Sequence, residues 1–342
     1  MQALALVRYC GLEMQERPLP AVADDEVLVR VMACGICGSD VHGWDGSTGR
    51  RKPPIVMGHE AAGLIARLGS RVAGWHEGDR VTFDSTIYCG QCAFCRAGRV
   101  NLCDNRRVLG VSCDEYRRDG AFAEFVAVPA RILYRLPEAL TFEQAAVVEP
   151  LSVAFHAVRR SGLGRGESAA VIGAGMIGLL VAQVLRALGA GRVIAVDLDE
   201  GRLKLARALG ADEVLRAGDC DVPAEIKRIT GGGADVSFEA VGVGEAVKSA
   251  MLALKKGGRG VLIGNLAPEV VAPIQTAVTR ELALFGSYAS AGEYPECLEL
   301  LAGGKVKVGP LISAAAPLAE GPAYFARLHR REPGLLKVLL KP

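Results

Sequence analysis

Apolar and polar positions follow two different patterns along the chain, and the change comes near residue 150. Before it, short apolar segments are bounded by glycine, proline or charge, which predicts an antiparallel barrel or sandwich-like β domain. After it, apolar strands alternate with helical patterns, which predicts a doubly wound parallel sheet with right-handed crossovers. The predicted strands of the first part are EVLVRVMAC (26–34), AAGLIARLG (61–69), DRVTF (79–83) and AEFVAVP (123–129).

The second part is a series of strands, each with a helix after it. The predicted strands are SAAVIG (168–173), RVIAVD (192–197), ADVSFEAVG (234–242) and RGVLIG (259–264). The predicted helices are MIGLLVAQVLRALG (176–189), EGRLKLARALG (200–210) and EAVKSAMLALKKG (245–257). A further helix, EYPECLELLAGGKV (293–306), and a short strand, GLLKVLLKP (334–342), follow them.

The uncharged stretch 169–185 resembles a membrane span, but three glycines interrupt it, namely Gly173, Gly175 and Gly178. A buried strand, a tight turn and a helix explain it better, because a spanning helix needs about 20 consecutive apolar residues. We therefore expect no membrane as a partner.

Length and charge narrow the class of protein further. A chain of 342 residues favours about two domains. Its 40 basic and 38 acidic residues leave a net charge of +2, which gives no reason to expect nucleic acid as a partner. The N-terminus lacks a charged start followed by a long apolar run, so we expect a cytoplasmic protein without a signal peptide.

Four of the ten cysteines form a tight cluster, Cys89-x2-Cys92-x2-Cys95-x7-Cys103. In a large chain without an export signal, such clustering favours metal over disulfides. Four thiolates suit a tetrahedral zinc and leave no position open for water, so this site is expected to be structural. An iron–sulfur cluster also takes thiolates, but nothing else in the sequence indicates electron transfer.

A second, mixed set of metal ligands is dispersed along the first part of the chain. Cys37, His59, Glu60 and Glu149 supply one thiolate, one imidazole and two carboxylates. Such a set suits a catalytic zinc with an open position for a substrate oxygen. Zinc would lower the pKa of the alcohol and ease hydride departure.

Three residues close to Cys37 in the sequence could transfer the alcohol proton or orient a metal ligand. A hydroxyl at Ser39 could pass the alcohol proton toward the imidazole of His42. Asp40 could orient His59. We therefore include Ser39 and His42 among the candidate catalytic residues, together with Cys37, His59 and Glu149.

The sequence GAGMIG, residues 173–178, lies between a predicted strand and a predicted helix, as a dinucleotide-binding turn requires. Its glycines allow the turn, the approach of the pyrophosphate and close helix packing. Asp197 ends the next strand, where a carboxylate accepts from the ribose hydroxyls and favours NAD over NADP. The assigned cofactor residues are Gly173, Gly175, Met176, Ile177, Gly178, Asp197, Arg202, Gly264 and Ser287, with Arg202 either stacking on the adenine or pairing with Asp199.

These motifs together resemble the zinc-containing medium-chain alcohol dehydrogenase family. Gly58-His59-Glu60-x2-Gly63-x5-Gly69-x2-Val72 matches its zinc signature, and the segments 37–42 and 148–153 are similar to the polyol, sorbitol-type branch. The segment 332–338 is similar to galactitol-1-phosphate dehydrogenases. The resemblance implies a GroES-like catalytic domain over 1–152, completed by 289–342, and a Rossmann domain over 153–288. It also implies that Cys37, His59 and a carboxylate, either Glu60 or Glu149, hold the catalytic zinc.

The chain departs from the sorbitol enzymes at substrate positions. Gly43 replaces a tyrosine, and Ala289 and Ser290 stand where those enzymes carry an Arg-Tyr pair. We therefore expect a roomier pocket, and a substrate other than sorbitol itself. The basic run Arg50-Arg51-Lys52 could contact a phosphate, although a solvated loop is the simpler interpretation.

The resemblance implies an enzyme that moves a hydride from a secondary alcohol of a polyol, polyol phosphate or sugar to NAD, with two zinc ions per chain. One alternative is a threonine-type amino-alcohol dehydrogenase, and another is a non-catalytic NAD-binding relative. The family also forms dimers and tetramers, which implies a homodimer or homotetramer, with the segment 260–287 as a plausible edge for pairing sheets across subunits.

Overall fold

A computed structural model describes residues 1–113 and 116–342 and divides them into two compact units. The first unit contains Met1–Glu149, Tyr294–Ala302 and Val308–Pro342. The second contains Pro150–Glu293 and Gly303–Lys307. The first unit therefore takes residues from both parts of the chain that flank the second unit.

The segment up to residue 149 is rich in short strands. These are β1 (Gln2–Arg8), β2 (Gly11–Glu16), β3 (Glu26–Gly35), β4 (Ile55–Val56), β5 (Glu60–Leu68), β6 (Arg80–Phe83), β7 (Thr86–Ile87), β8 (Arg107–Val108), β9 (Val111–Cys113), β10 (Tyr116–Arg118), β11 (Phe125–Pro129) and β12 (Leu133–Arg135). Its helices are α1 (Gly38–Trp44), α2 (Ala93–Arg96) and α3 (Phe142–Ala146), with 3₁₀ turns at Val100–Leu102 and Ala130–Ile132.

Strands and helices alternate in the middle of the chain, as the sequence predicts. After α4 (Val148–Arg160) come β13 (Ala169–Ile172), α5 (Met176–Ala187), β14 (Val193–Asp197), α6 (Glu200–Ala208), β15 (Glu213–Arg216), α7 (Val222–Thr230), β16 (Ala234–Glu239), α8 (Gly244–Leu252), β17 (Leu254–Leu262), α9 (Ile274–Thr279) and β18 (Ala283–Gly286). The strands form one parallel sheet in the order β15-β14-β13-β16-β17-β18.

The remaining elements are α10 (Tyr294–Ala302), β19 (Ile312–Pro317), α11 (Gly321–His329) and β20 (Lys337–Lys341), with 3₁₀ turns at Gly309–Leu311 and Leu318–Glu320. Strand β20 pairs antiparallel with β3, where Leu340 lies opposite Cys34. The last strand therefore lies in the interior of a mainly antiparallel sheet, whose order is β12-β6-β5-β3-β20-β19, with β11 also paired to β3.

Local patterns account for most of these elements. The uncharged stretch 169–185 is a strand, a turn and a helix, so that prediction is confirmed. No helix in the described ranges is long and apolar enough to cross a membrane. The doubly wound parallel sheet is also confirmed.

The predicted helix over 245–257 is wrong at its end. Helix α8 stops at Leu252, and Leu254 already pairs with Ala234 in the parallel sheet. Leu254 is buried, and Gly257 has a φ of +70°, which a helix does not accommodate. Sheet pairing of Leu254 thus overrides the helical preference of the two lysines that follow it.

A cluster of buried aliphatic and aromatic side chains forms the core of the first unit. Phe325 of α11 is fully buried there, and its ring packs edge-on against Phe122 at 5.8 Å between centroids. Its ring also lies 6.3 Å from that of Trp44. Helix α11 is therefore anchored to α1 and to the β structure by one aromatic side chain.

Phe325→Ala is expected to lower the free energy of unfolding by about 3–5 kcal/mol, because it leaves a cavity among these rings. Chemical denaturation followed by tryptophan fluorescence measures the change. Leu19→Ala, at a side chain that is 53% exposed, is the control and should cost less than about 0.5 kcal/mol. Equal losses in the two variants would contradict this view of the core.

Candidate active site

The four clustered cysteines converge on one point. Their sulfur atoms lie within 4.8 Å of one another. Helix α2 begins directly after Cys92, whose sulfur accepts a hydrogen bond from the backbone N–H of Cys95. Hydrogen bonds from the backbone of Gln91 and Cys92 lower the pKa of Cys89 to about 6. Burial raises the pKa values of Cys95 and Cys103, so it is the convergence of the four sulfur atoms that fits a closed zinc site.

A second group of ligand atoms lies within 4.8 Å of one another, on Cys37, His59 and Glu60. Cys37 directly precedes α1, and Glu60 begins β5. Strand pairing places Glu60 opposite Gly35, so the ends of β3 and β5 bring the three side chains together. One thiolate, one imidazole and one carboxylate are a suitable donor set for a catalytic zinc.

Glu60 is buried and uses only one of its two oxygens within the protein. Its Oε2 accepts a 2.5 Å hydrogen bond from Lys337 Nζ, which also donates to the carbonyl of Ile36. Its Oε1 is buried without a hydrogen-bond partner in the part of the chain that the structure describes. A buried carboxylate oxygen in that state fits a metal ligand, because leaving it unpaired is costly.

Lys337 is a site residue that the sequence analysis missed. Its side chain is 3% exposed, although it lies on the last strand, 277 residues from Glu60. The available signal was one lysine within the apolar run GLLKVLL, since a charge at an inward position of a buried strand needs a partner.

His59 is oriented from behind by Asp40. Its Nδ1 lies 3.3 Å from Asp40 Oδ1. Burial alone would raise the pKa of Asp40, but His59 and Arg51 lower it to about 2, so the carboxylate stays ionised. With Nδ1 facing Asp40, Nε2 is the nitrogen of His59 left to bind a metal.

Arg51 departs from the predicted solvated loop at residues 50–52, whereas Arg50 and Lys52 are exposed as predicted. The Arg51 side chain is 5% exposed, and its Nη2 donates to Asp40 Oδ1 and to Ser39 Oγ, both at 3.1 Å. Ser39 Oγ in turn donates to Cys37 Sγ at 3.3 Å. Arg51 therefore lies behind the metal ligands, because Asp40 needs a buried cation.

The same arginine limits the room expected at Gly43. A Cβ atom at this position would lie 2.6 Å from Arg51 Cδ. The aliphatic part of Arg51 thus takes the space next to Gly43, and the roomier pocket stays a prediction.

Glu149, at the start of α4, lies near these residues but outside the group of three ligands. Its Oε1 accepts from Ser85 Oγ at 3.2 Å. Burial raises its pKa to about 7; attraction by His59 opposes this rise, whereas repulsion by Glu60 adds to it. Glu149 thus shares the electrostatic environment of the metal ligands.

His42 lies in the last turn of α1, and its Nδ1 faces Asp45 Oδ2 at 3.9 Å. Its side chain is partly exposed. No contact between His42 and Ser39 is found within the described ranges, so the two side chains are placed on one short helix but are not joined directly.

The glycine-rich turn lies in the second unit, at the end of β13. Gly173 has a φ of +98°, and a Cβ atom at Gly178 would lie 1.8 Å from the carbonyl oxygen of Gly173. Helix α5 begins at Met176, and Ile177 follows within its first turn. The turn therefore requires glycine at both positions, and the N-terminus of α5 lies directly after it, as in a dinucleotide-binding turn.

Asp197, the last residue of β14, is fixed by two backbone groups. Its Oδ2 accepts from the N–H of Ala174 at 2.7 Å, and its Oδ1 accepts from that of Asp199 at 2.9 Å. Arg202 Nη1 lies 3.8 Å from Asp197 Oδ2, while the backbone N–H of Arg202 donates to Asp199 Oδ1. The side chain of Arg202 is therefore directed to Asp197, not to Asp199.

Gly264 and Ser287 follow the ends of β17 and β18. The N–H of Gly264 donates to the carbonyl of Glu239, and that of Ser287 donates to the carbonyl of Leu262. The hydroxyl of Ser287 is buried with no hydrogen-bond partner among the described residues. Both positions lie at the carboxyl edge of the parallel sheet, where ligands of such folds bind.

Replacing Lys337 by methionine should lower the free energy of unfolding by about 3–5 kcal/mol, because Glu60 would keep a buried charge without its cation. Lys341→Met, on the same strand, removes a surface ion pair with Glu143 and should cost less than about 1 kcal/mol. Urea denaturation of both variants tests the difference. A small loss for Lys337→Met would show that Glu60 does not need this lysine.

Comparison with known proteins covers both units. Residues 23–138 match the alcohol dehydrogenase GroES-like domain, and residues 177–303 match the zinc-binding dehydrogenase model. The chain is 37% identical to L-idonate 5-dehydrogenase of Vitis vinifera, over 88% of this chain and 84% of that one. It is 33% identical to sorbitol dehydrogenase of Bacillus subtilis, over 100% and 97%.

A solved structure is similar over the whole chain. It is a putative zinc-binding dehydrogenase from Sinorhizobium meliloti 1021 bound to NADP, with a TM-score of 0.91 and 34% identity over 100% of this chain and 99% of that one. Of the two family matches, the first contains the zinc signature and the cysteine lobe, and the second begins within the glycine turn. Their order along the chain is therefore the predicted one.

Proposed function

Because the chain belongs to the zinc-binding, medium-chain alcohol dehydrogenase family, we propose that it oxidises a secondary alcohol of a polyol, polyol phosphate or sugar and transfers the hydride to NAD. The observation that carries this proposal is the convergence of Cys37, His59 and Glu60, with one buried Glu60 oxygen unpaired by the described residues. The names of the two relatives, for sorbitol and L-idonate, support a sugar-like substrate.

Cys37, His59 and Glu60 would hold the catalytic zinc, and the four-cysteine lobe would hold a structural one. Zinc, when bound, acts as a Lewis acid that makes the substrate hydroxyl more acidic and so eases hydride departure. Asp40 keeps His59 oriented, and Lys337 holds Glu60 in place through its hydrogen bond to Oε2. Glu149 would act from beside this set, either as a further ligand or through a water molecule.

Oxidation removes a hydride, with its electron pair, from the carbinol carbon and a proton from the hydroxyl, leaving a carbonyl group. NAD takes the hydride. Ser39 would contact the substrate hydroxyl; its Oγ lies 3.3 Å from Cys37 Sγ, which supports this role. His42 is the general base that finally receives the proton and releases it to solvent, since its side chain is 34% exposed.

NAD is the proposed cofactor because Asp197 places a fixed carboxylate at the end of β14. Such a carboxylate pairs with ribose hydroxyls and repels a 2′-phosphate. Arg202 beside it would attract a phosphate, and the Sinorhizobium protein was solved with NADP. We infer that the carboxylate dominates, because two backbone N–H groups hold it in place.

The proposed reaction predicts NAD reduction with at least one member of a panel of polyols, sugar phosphates, aldonic acids and free sugars, with NAD preferred over NADP in kcat/KM. Absorbance of the reduced cofactor at several pH values measures it. Threonine belongs in the panel, because activity on it alone would favour an amino-alcohol dehydrogenase. Complete inactivity of the zinc-loaded protein would reject the proposal.

Cys37→Ala should reduce the zinc content from two ions per chain to one and abolish hydride transfer, with NAD binding retained. Metal analysis and cofactor titration measure these effects. Cys10→Ala changes an exposed cysteine and is the control, while Cys95→Ser should lose the other zinc. Full turnover in Cys37→Ala would refute its role as a ligand.

We further propose a homodimer, or a tetramer built from it, formed through the β18 edge of the second unit. Strand β18 is the outer strand of the parallel sheet, and an edge strand can pair with another chain. Apolar side chains are exposed close to it in sequence, with Val271 89%, Val278 72% and Ile274 60% exposed. The partner proposed for this edge is a second copy of the same chain. We also propose a cytoplasmic location, because the cytoplasm keeps the zinc-binding thiols reduced.

Light scattering coupled to size exclusion should therefore give at least twice the chain mass for the wild type. A double variant, Ile274→Lys with Val278→Lys, should shift toward the monomer because it places charge on the apolar surface. Leu198→Lys, at another exposed leucine of the same unit, should leave the mass unchanged. A monomeric wild type would reject the dimer.

A further inference from the structure

His42 shares a carboxylate with a second histidine that the reaction scheme does not use. Asp45 directly follows α1, and His329 ends α11. Asp45 Oδ2 lies 3.1 Å from His329 Nε2 and 3.9 Å from His42 Nδ1. All three residues belong to the first unit, so two elements of one unit place two imidazoles around one carboxylate.

The carboxylate of Asp45 is held firmly and is largely shielded. Its side chain is 18% exposed, and its Oδ1 accepts a 2.8 Å hydrogen bond from the N–H of Ser47. Burial would raise the pKa of Asp45, but hydrogen bonds from Ser47, the nearby charge of His42 and a hydrogen bond from His329 lower it, so the group stays ionised. The Trp44 ring packs edge-on against His329 at 5.3 Å, which fixes the second imidazole.

An ionised carboxylate only accepts hydrogen bonds, and this property decides which nitrogen carries hydrogen. Because Nδ1 of His42 faces Asp45, Nδ1 is the nitrogen that carries the hydrogen and Nε2 keeps its lone pair. The 3.9 Å separation is longer than a direct hydrogen bond, and a small rotation of the imidazole ring closes it. Neutral imidazole with a free Nε2 is the form that a general base requires.

We propose that Asp45 is a positioning residue for His42, which selects the Nδ1–H tautomer and stabilises the imidazolium after proton transfer, and that His329 holds Asp45 in place for this task. His329 does not carry the proton outward, because the Nε2 that faces Asp45 already donates its own hydrogen. The kinetic part of this inference rests on the proposed function of His42, whereas the tautomer does not.

The tautomer can be measured in the intact protein without turnover. The chain has five histidines, so ¹⁵N spectra of the imidazoles can be assigned with single His→Gln variants. The wild type should show His42 protonated at Nδ1, and Asp45→Asn should shift it toward the Nε2–H form. An unchanged His42 tautomer in Asp45→Asn would overturn the inference.

A double-mutant cycle tests whether Asp45 acts through His42. Asp45→Asn should lower kcat for alcohol oxidation about tenfold, a part of the 10²–10⁴ supplied by a general base, with KM for NAD unchanged. In a His42→Gln background the same change should lower kcat less than about twofold, because the effects of two coupled residues on kcat are not additive. A full loss from Asp45→Asn in the absence of His42 would show a structural effect and would overturn the inference.

Variants of His329 test the same inference, with smaller expected changes in kcat. His329→Leu removes the donor to Asp45 and should lower kcat less than Asp45→Asn does, while His329→Gln keeps an N–H donor and should retain most of it. The matched control is His76→Gln, since His76 Nδ1 also lies 3.9 Å from an aspartate three residues later, but on an 83% exposed side chain. This control should leave kcat unchanged.

Failure of the proposed function and failure of the inference about Asp45 give different results. If the wild type reduces no NAD with any substrate, the proposed function fails, and the tautomer measurement alone decides the role of Asp45. If the wild type is active and Asp45→Asn matches it in both kcat and tautomer, the proposed function stands and this inference fails.

Discussion

A buried ion pair between Glu60 and Lys337 is the interaction on which the candidate active site depends. Removing two charges from water is costly, and the cost is met only when the remaining hydrogen bonds are also made. Lys337 satisfies this condition by donating to Ile36 as well, and β20 lies beside β3 in the same sheet. The last strand of the chain thus completes a site whose ligands come from its first 60 residues.

The same constraint governs the other buried charges of the first unit. Asp40 stays ionised because Arg51 and His59 lie against it, and an ionised Asp40 is what orients His59. Burial raises the pKa of Glu149 to about 7 instead, and repulsion by Glu60 adds to this rise. Arg51 therefore helps to keep Asp40 as a fixed charge, and Lys337 holds Glu60 in place.

Features set by neighbouring residues could be predicted from the sequence. The cysteine lobe spans 15 positions from Cys89 to Cys103, and the glycine turn lies between one strand and one helix, so spacing and periodicity were sufficient. Predictions were wrong or incomplete where contacts between residues distant in sequence determine the structure. The strand that begins at Leu254 depends on pairing with Ala234, and the burial of Lys337 depends on Glu60, which no local pattern records.

Arg51 shows why substrate preference is harder to predict than reaction chemistry. Gly43 taken alone indicates an empty position where sorbitol enzymes carry a tyrosine. In the structure, Arg51 packs against Gly43 and at the same time neutralises Asp40 and contacts Ser39. Arg51 can pack here because residue 43 has no side chain, so the two positions have to be interpreted together. The side chain that lies against Gly43 is thus determined by how the buried charge of Asp40 is balanced, which Gly43 alone does not reveal.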